Sequence, residues 1–189
     1  MYELQEVSVV ILAGGEGRRM GGRDKGLLPY RGRPLIEHVI QSLPRGHAGL
    51  LISANRNLEA YRRYAPVVVD EAPGHAGPLA GILAAMHTAT TPYLMVLPCD
   101  TPHLPRNLLE RLYRALVDDH ADIAVACSGG RKHHVISLMK TDLGGDLRGF
   151  LASGERRVGL WHQRHRVSYV EFDAGSGEFD NINCPEALD

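Results

Sequence analysis

The segment that constrains this chain most is Val7-Ser-Val-Val-Ile-Leu12, followed at once by Ala13-Gly14-Gly15. A short, uncharged β-branched run ended by glycine reads as a buried strand feeding a loop. In open α/β sheets, ligands bind beyond the carboxyl ends of the strands. Glycines there let backbone N–H groups approach phosphate oxygens without a Cβ in the way.

The rest of the chain repeats the alternation. Leu35 to Leu43 has apolar residues at helical spacing behind Pro34, and proline suits a first helical turn. Leu50–Ser53 reads as strand two, Asn57 to Tyr64 as a helix and Pro66–Val69 as strand three. Pro78 to His87 reads as a helix, Tyr93–Leu97 as strand four and Ile123–Ala126 as strand five. Between the last two, Pro105 to Asp118 is a helix whose apolar face is Leu108, Leu109, Leu112, Leu116 and Val117. Beyond Gly129 the pattern is less regular, with strands at Val135–Met139 and Val167–Phe172 flanking a helix from about Leu143 to Leu151. Strands and helices alternating at this pitch predict a three-layer, Rossmann-like α/β fold with a mainly parallel sheet. With 189 residues and no repeat or linker, one domain is expected, a nucleotide-binding half over about 1–126 and a second half over about 127–189.

Composition narrows the function classes. A net charge of −1 leaves no global basic field for nucleic acid or a membrane surface, so an anionic ligand needs a local cluster. The three cysteines, Cys99, Cys127 and Cys184, are widely spaced, which suits a reducing compartment. No apolar run approaches a membrane span or a leader, and a cytoplasmic protein is expected.

The local cluster lies directly after the first strand. Between Arg18 and Arg33 stand Arg18, Arg19, Arg23, Lys25, Arg31 and Arg33 against a single acid, Asp24. A dinucleotide fingerprint starting at Gly15 and Gly17 would need glycine where Met20 stands, and a Walker loop would need Lys-Ser/Thr after Gly22. The loop is therefore of another kind, either a polyanion site or a solvated connection. Asp100 follows strand four in Leu97-Pro-Cys-Asp-Thr-Pro102, where a carboxylate either binds a metal or caps a turn. Magnesium takes one or two carboxylates plus substrate oxygens, so one well-placed aspartate is enough. Asp70 ends strand three and suits a ribose or base contact or the start of a loop, while Asn181 and Asn183 could complete a metal site or satisfy a turn. Arg131-Lys-His-His134 and Glu155-Arg-Arg157 read as cationic clusters in glycine-flanked loops, either an anion site or plain surface charge, His162-Gln-Arg-His165 as a solvated loop, and Cys99 as packing. Trp161 is expected in the core or on a partner surface.

Together these segments resemble the nucleotidyltransferase superfamily and, within it, the molybdenum cofactor guanylyltransferase (MobA) family. The carriers are Leu12-Ala-Gly-Gly15, Arg19-Met-Gly-Gly22, Asp24-Lys-Gly-Leu27, Ala54-Asn-Arg56, Gly77-Pro-Leu-Ala-Gly81, Pro98-Cys-Asp-Thr-Pro102, Gly154-Glu-Arg-Arg157 and Asn181-Ile-Asn-Cys-Pro-Glu186. The resemblance implies that GMP passes from Mg²⁺-bound GTP to the phosphate of molybdopterin, with pyrophosphate leaving. By position it implies nucleotide contacts from Leu12, Ala13, Gly14 and Gly15, and from Gly77, Pro78, Leu79 and Gly81 around the base. It puts Asp70 in the guanosine pocket, Arg19 and Lys25 on the triphosphate, and magnesium on Asp100, helped by Asn181 or Asn183. The molybdopterin would fall to Arg131, His133, Arg156, Arg157, Asn181 and Asn183, with molybdenum-insertion and client molybdoenzyme proteins as partners. Two positions depart from the family pattern. Ser53 stands where relatives often carry an asparagine that contacts the nucleotide, leaving that role to Ser53 or Asn55, and His134 stands where proline is usual. Relatives using CTP or UTP tend to carry alanine at the position of Gly14, and the glycine here leaves room for a purine. The alternatives are a cytidylyltransferase of the same cofactor, a sugar-1-phosphate nucleotidyltransferase, and a carrier that binds without turnover.

Overall fold

The computed structural model describes residues 4–15, 23–43, 45–70, 77–173 and 178–182. In chain order its strands are β1 (Val7–Leu12), β2 (Pro29–Tyr30), β3 (Arg33–Pro34), β4 (Gly49–Ser53), β5 (Val67–Val68), β6 (Tyr93–Pro98), β7 (Ile123–Ser128), β8 (Arg131–Lys140) and β9 (Val167–Phe172). Its helices are α1 (Leu35–Ser42), α2 (Leu58–Arg62), α3 (Pro78–Thr88), α4 (Leu108–Asp118), α5 (Gly144–Ala152) and α6 (Val158–His162). Seven strands form one sheet in the order β5-β4-β1-β6-β8-β7-β9, and only β8 runs antiparallel to its neighbours. The predicted mainly parallel α/β architecture is the one observed.

β1 lies in the middle of the parallel part, and five of its six residues are buried. That explains why Val9 to Leu12 is apolar without alternation, since a strand covered by helices on both faces shows none. One core layer packs α4 against Val7, Val9, Met95, Ala124 and Leu138, and another packs α3 and α5 against Val10, Val96, Val125 and Met139. α4 buries Leu108, Leu109, Leu112 and Leu116 as expected, but Val117 is exposed, because it lies one residue, about 100°, around the helix from Leu116.

β8 starts four residues before the predicted Val135. Gly129 and Gly130 both have positive φ, at 54° and 77°, and form a two-residue hairpin turn between Ser128 and Arg131. This is the geometry that glycine pairs favour. Arg131-Lys-His-His134 is therefore strand rather than loop, which corrects the reading from its charges. The register slips between Val125 and Ala126, so His134, Val135 and Ile136 bulge between the paired residues His133 and Ser137. The HxxH segment is also corrected. His162 closes α6 fully buried beside Trp161, and its Nδ1 lies 3.3 Å from Nδ1 of His134. Burial holds the His162 imidazole down at about 3, with His134 and His165 adding to the shift.

Candidate active site

The strand register alone gathers the predicted motifs. Leu12 stands opposite Ser53 on one side and opposite Pro98 on the other, so β1, β4 and β6 end in one row. Ala13 N–H donates to the Ser53 carbonyl at 2.8 Å, Cys99 N–H to the Leu12 carbonyl at 3.1 Å, and Ala54 N–H to the Val68 carbonyl at 3.1 Å. The residues that leave the sheet here are Gly14, Asn55, Asp70 and Asp100. A cavity of about 210 Å³ opens at this edge, lined by Leu12, Ala13, Gly14, Gly15, Lys25, Pro78, Pro98, Cys99, Asp100 and Val135. Val135 was not foreseen, and it faces the cavity from the bulge in β8, a device that re-aims side chains beside functional sites.

The charged centre of the cavity is an ion pair, with Lys25 Nζ 2.5 Å from Asp100 Oδ2 and side chains 23% and 16% exposed. Asp100 heads a turn rather than capping a helix, since α4 begins only at Leu108. Its backbone carbonyl accepts from Ile182 N–H at 2.9 Å, and the fully buried Thr101 hydroxyl donates to Asn181 Oδ1 at 2.8 Å. The C-terminal segment 178–182 is thus fastened to the loop after β6, which brings Asn181 to Asp100. Cys99 packs under the site, and burial pushes its thiol up to about 12, so it stays protonated and inert.

On the opposite side of Gly14, Asn55 Nδ2 donates to Asp70 Oδ2 at 2.6 Å and Asp70 N–H donates to Asn55 Oδ1 at 3.2 Å. A Cβ built at Gly14 would point to Asn55 Nδ2 and the Ser53 carbonyl, each 3.9 Å away. The side chain of Ser53 is buried, and a Cβ at Gly81 would overlap its hydroxyl. Ser53 and Gly81 are therefore a packing pair joining β4 to α3, and the side chain offered to solvent at this strand end is Asn55. Leu79 likewise faces the core, whereas Pro78 lines the cavity at the first turn of α3, where the helix dipole favours an anion. Gly77 holds φ at 69°, a value that favours glycine.

The residues expected around molybdopterin do not gather in one place. His133 stacks on Phe179 with ring centroids 4.8 Å apart and shares a 2.7 Å hydrogen bond with Ser128 Oγ. Burial and the neighbouring Arg131 hold its imidazole below the ordinary value, so it is a neutral group rather than part of a cation cluster. Lys132 lies over the Tyr169 ring at 3.9 Å. Arg156 instead lines a separate groove of about 620 Å³ between β5, α3 and α5, with Nη1 donating to the Leu151 and Glu155 carbonyls. Arg157 is exposed and pairs with Glu155 at 3.4 Å. Arg19 and Asn183 lie outside the described residues.

Among the described residues no group of three or more His, Cys, Asp or Glu side chains converges on a metal-sized point. A metal at Asp100 would thus be held by that carboxylate and by substrate oxygens, the donor set that magnesium accepts. No helix among the described residues is long and apolar enough to cross a membrane.

Known proteins resemble this chain in sequence and fold. A molybdenum cofactor guanylyltransferase of Shewanella amazonensis is 42% identical over 184 residues, covering 97% of this chain and 94% of its own. One from Shewanella loihica is 41% identical, covering 96% and 93%. Molybdopterin-guanine dinucleotide biosynthesis protein A of Archaeoglobus fulgidus superposes with a TM-score of 0.77 at 24% identity over 96% of this chain and 94% of its own. A CMP:2-keto-3-deoxy-manno-octonic acid synthetase in complex with CTP superposes at 0.75 with 16% identity over 96% and 95%, which shows the same fold. The MobA-like NTP transferase domain matches residues 9–167, and the chain belongs to that family of nucleotidyltransferases.

Proposed function

We propose that this chain transfers GMP from Mg²⁺-bound GTP to the phosphate of molybdopterin, releasing pyrophosphate and forming the guanine dinucleotide cofactor. The observation that carries the reading is the Lys25–Asp100 pair in a glycine-lined cavity, with the Asn55–Asp70 pair across Gly14. It supplies a cation for phosphates, a carboxylate for a divalent metal and a polar clamp for a nucleoside, in one row. The family names of the relatives supply the acceptor.

In this reading an ionised oxygen of the molybdopterin phosphate attacks the α-phosphorus. A new P–O bond forms, the bond to the bridging oxygen breaks, and pyrophosphate carries away the electron pair. A phosphate monoester is already ionised near neutral pH, so the chain needs no general base. Its task is to hold two anions together and to stabilise the charge of the leaving group. Backbone N–H groups of Gly14 and Gly15 and the start of α3 would face the phosphates, and Lys25 and Arg19 would neutralise them. Asp100 would hold Mg²⁺, which when bound shields the phosphate charge and helps pyrophosphate depart.

Asp70 would accept from the guanine N–H edge, with Asn55 fixing its orientation, and Pro78 would close the opposite side. The cavity itself is smaller than a whole nucleoside triphosphate, so the base would extend over Asn55 and Asp70. Molybdopterin would approach past Asn181, Arg131 and His133. The placement of Arg156 in the groove beside Val69 argues for assigning it away from that approach. Both halves of the chain would serve as one domain in the cytoplasm.

The direct test is Asp100→Ala. Loss of one such electrostatic contact costs about 3 kcal/mol, or ~100-fold in turnover. Pyrophosphate release near the parent rate from a folded variant would remove Asp100 from the chemistry.

A further inference from the structure

The residue before Lys25 shows how the lysine is placed. Lys25–Leu27 is a 3-10 turn with Asp24 at its N-cap, yet the Asp24 side chain makes no cap hydrogen bond. It turns inward instead and is 8% exposed. Its Oδ1 accepts from the fully buried Tyr61 hydroxyl, and its Oδ2 accepts from Asn57 Nδ2 at 2.9 Å and faces Arg56 Nε at 3.8 Å. Arg56 Nη2 also donates to the Arg23 carbonyl at 3.2 Å. On the far side of Lys25, a Cβ at Gly26 would come within 2.5 Å of the Tyr61 hydroxyl, so the turn lies directly on that ring.

Burying a carboxylate costs several kcal/mol unless it is paired and hydrogen-bonded, and a cap alone would need no burial. The network supplies the fixed point on both sides. Two of the residues that hold Asp24, Arg56 and Asn57, directly follow Asn55, the residue that binds Asp70, and Asn57 adopts a left-handed φ of 52° to enter α2. One short turn, Asn55-Arg56-Asn57, therefore touches both the clamp across Gly14 and the base of Lys25.

We propose that Asp24, locked by Tyr61, Asn57 and Arg56, is a positioning residue that sets the Lys25 ammonium at the phosphate end of the cavity. This rests on the reading of Lys25 as the phosphate cation. Asp24 touches no reacting atom and acts only through the lysine, so its effect must vanish when the lysine is absent.

The test is a double-mutant cycle on Mg·GTP binding at equilibrium, with thermal melts of every variant. Asp24→Asn is expected to weaken binding about 10-fold and Tyr61→Phe about 3-fold, the size of a charged and a neutral-donor hydrogen bond. Tyr61→Phe keeps the ring under Gly26, so it serves if Asp24→Asn fails to fold. In the Lys25→Ala background, both substitutions are expected to change Mg·GTP binding by less than about 2-fold, a coupling that distant, independent sites do not show. A role confined to stability would lower the melting temperature and leave the binding of the folded protein alone. If Lys25→Ala weakens binding, and Asp24→Asn and Tyr61→Phe weaken it by the same factor with or without the lysine, the positioning role is wrong and the role of Lys25 stands. If Lys25→Ala leaves binding unchanged, the role of Lys25 falls and the proposal falls with it.

Discussion

Replacing Lys25 by alanine should move metal and nucleotide binding in opposite directions. In the free protein the lysine occupies Asp100 at 2.5 Å, so a metal reaching that carboxylate must first displace an ammonium. Two unit charges about 4 Å apart at an effective dielectric constant near 20 attract by roughly 4 kcal/mol. Both side chains keep some solvent, 23% and 16% exposed, so screening and dehydration leave a net of about 1–2 kcal/mol. Lys25→Ala should therefore tighten Mn²⁺ binding to the nucleotide-free protein by about 5- to 30-fold. Mg·GTP should bind more weakly, by ~10- to 100-fold, since a charge-assisted phosphate contact is lost. Titration calorimetry with Mn²⁺ alone and then with Mg·GTP reads both effects. Unchanged or weaker Mn²⁺ binding in the variant would mean that the lysine does not compete with a metal for Asp100.

Gly14→Ala places a methyl group beside Asn55, so the ratio of kcat/KM for GTP over CTP should fall by about 10-fold, and an unchanged ratio in competition assays would remove Gly14 from base choice. Gly81→Ala should destabilise the fold by about 1–3 kcal/mol, read from denaturant midpoints, because its Cβ meets the Ser53 hydroxyl, and Ser53→Ala should recover part of that loss. His162 is held at about 3 when folded, against about 6.5 when unfolded, so the unfolded chain takes the proton first as pH falls. Its contribution is fully present above about pH 6.5 and is lost at roughly 1.4 kcal/mol per pH unit below that, down to the folded value. Unfolding curves at pH 7 and pH 5 should show this loss in the parent and a smaller one in His162→Phe.

Much of the candidate site's placement was legible because it follows from strand ends. β1 and β6 are buried runs that end at Leu12 and Pro98, two residues before Gly14 and Asp100, and parallel pairing of β1, β4 and β6 puts their ends side by side whatever the loops do. Less legible were features made by contacts across the sequence. Arg131 to His134 carries the charges of a loop, and the signal for a strand was the Gly129-Gly130 pair, which reads as a hairpin turn only once β7 is extended to Ser128. His162 looked like part of a polar HxxH loop, whereas α6 continues an apolar stripe from Val158 through Trp161 and carries the histidine inside with it. The split of Arg156 from Arg131 follows from which face of the sheet α5 covers, and periodicity does not encode that. The Asp24 network joins residues more than thirty positions apart, so only the Asp24-Lys-Gly26 string marked its place.

Guanylyl transfer is read directly as pyrophosphate release from the purified chain with Mg²⁺ and molybdopterin-bound molybdenum cofactor, comparing GTP, CTP, ATP and UTP. Release with GTP, and little with the other three, is the predicted result. Release with CTP in place of GTP would contradict the base assignment. GTP binding with no pyrophosphate from any nucleotide would contradict the transfer reaction itself.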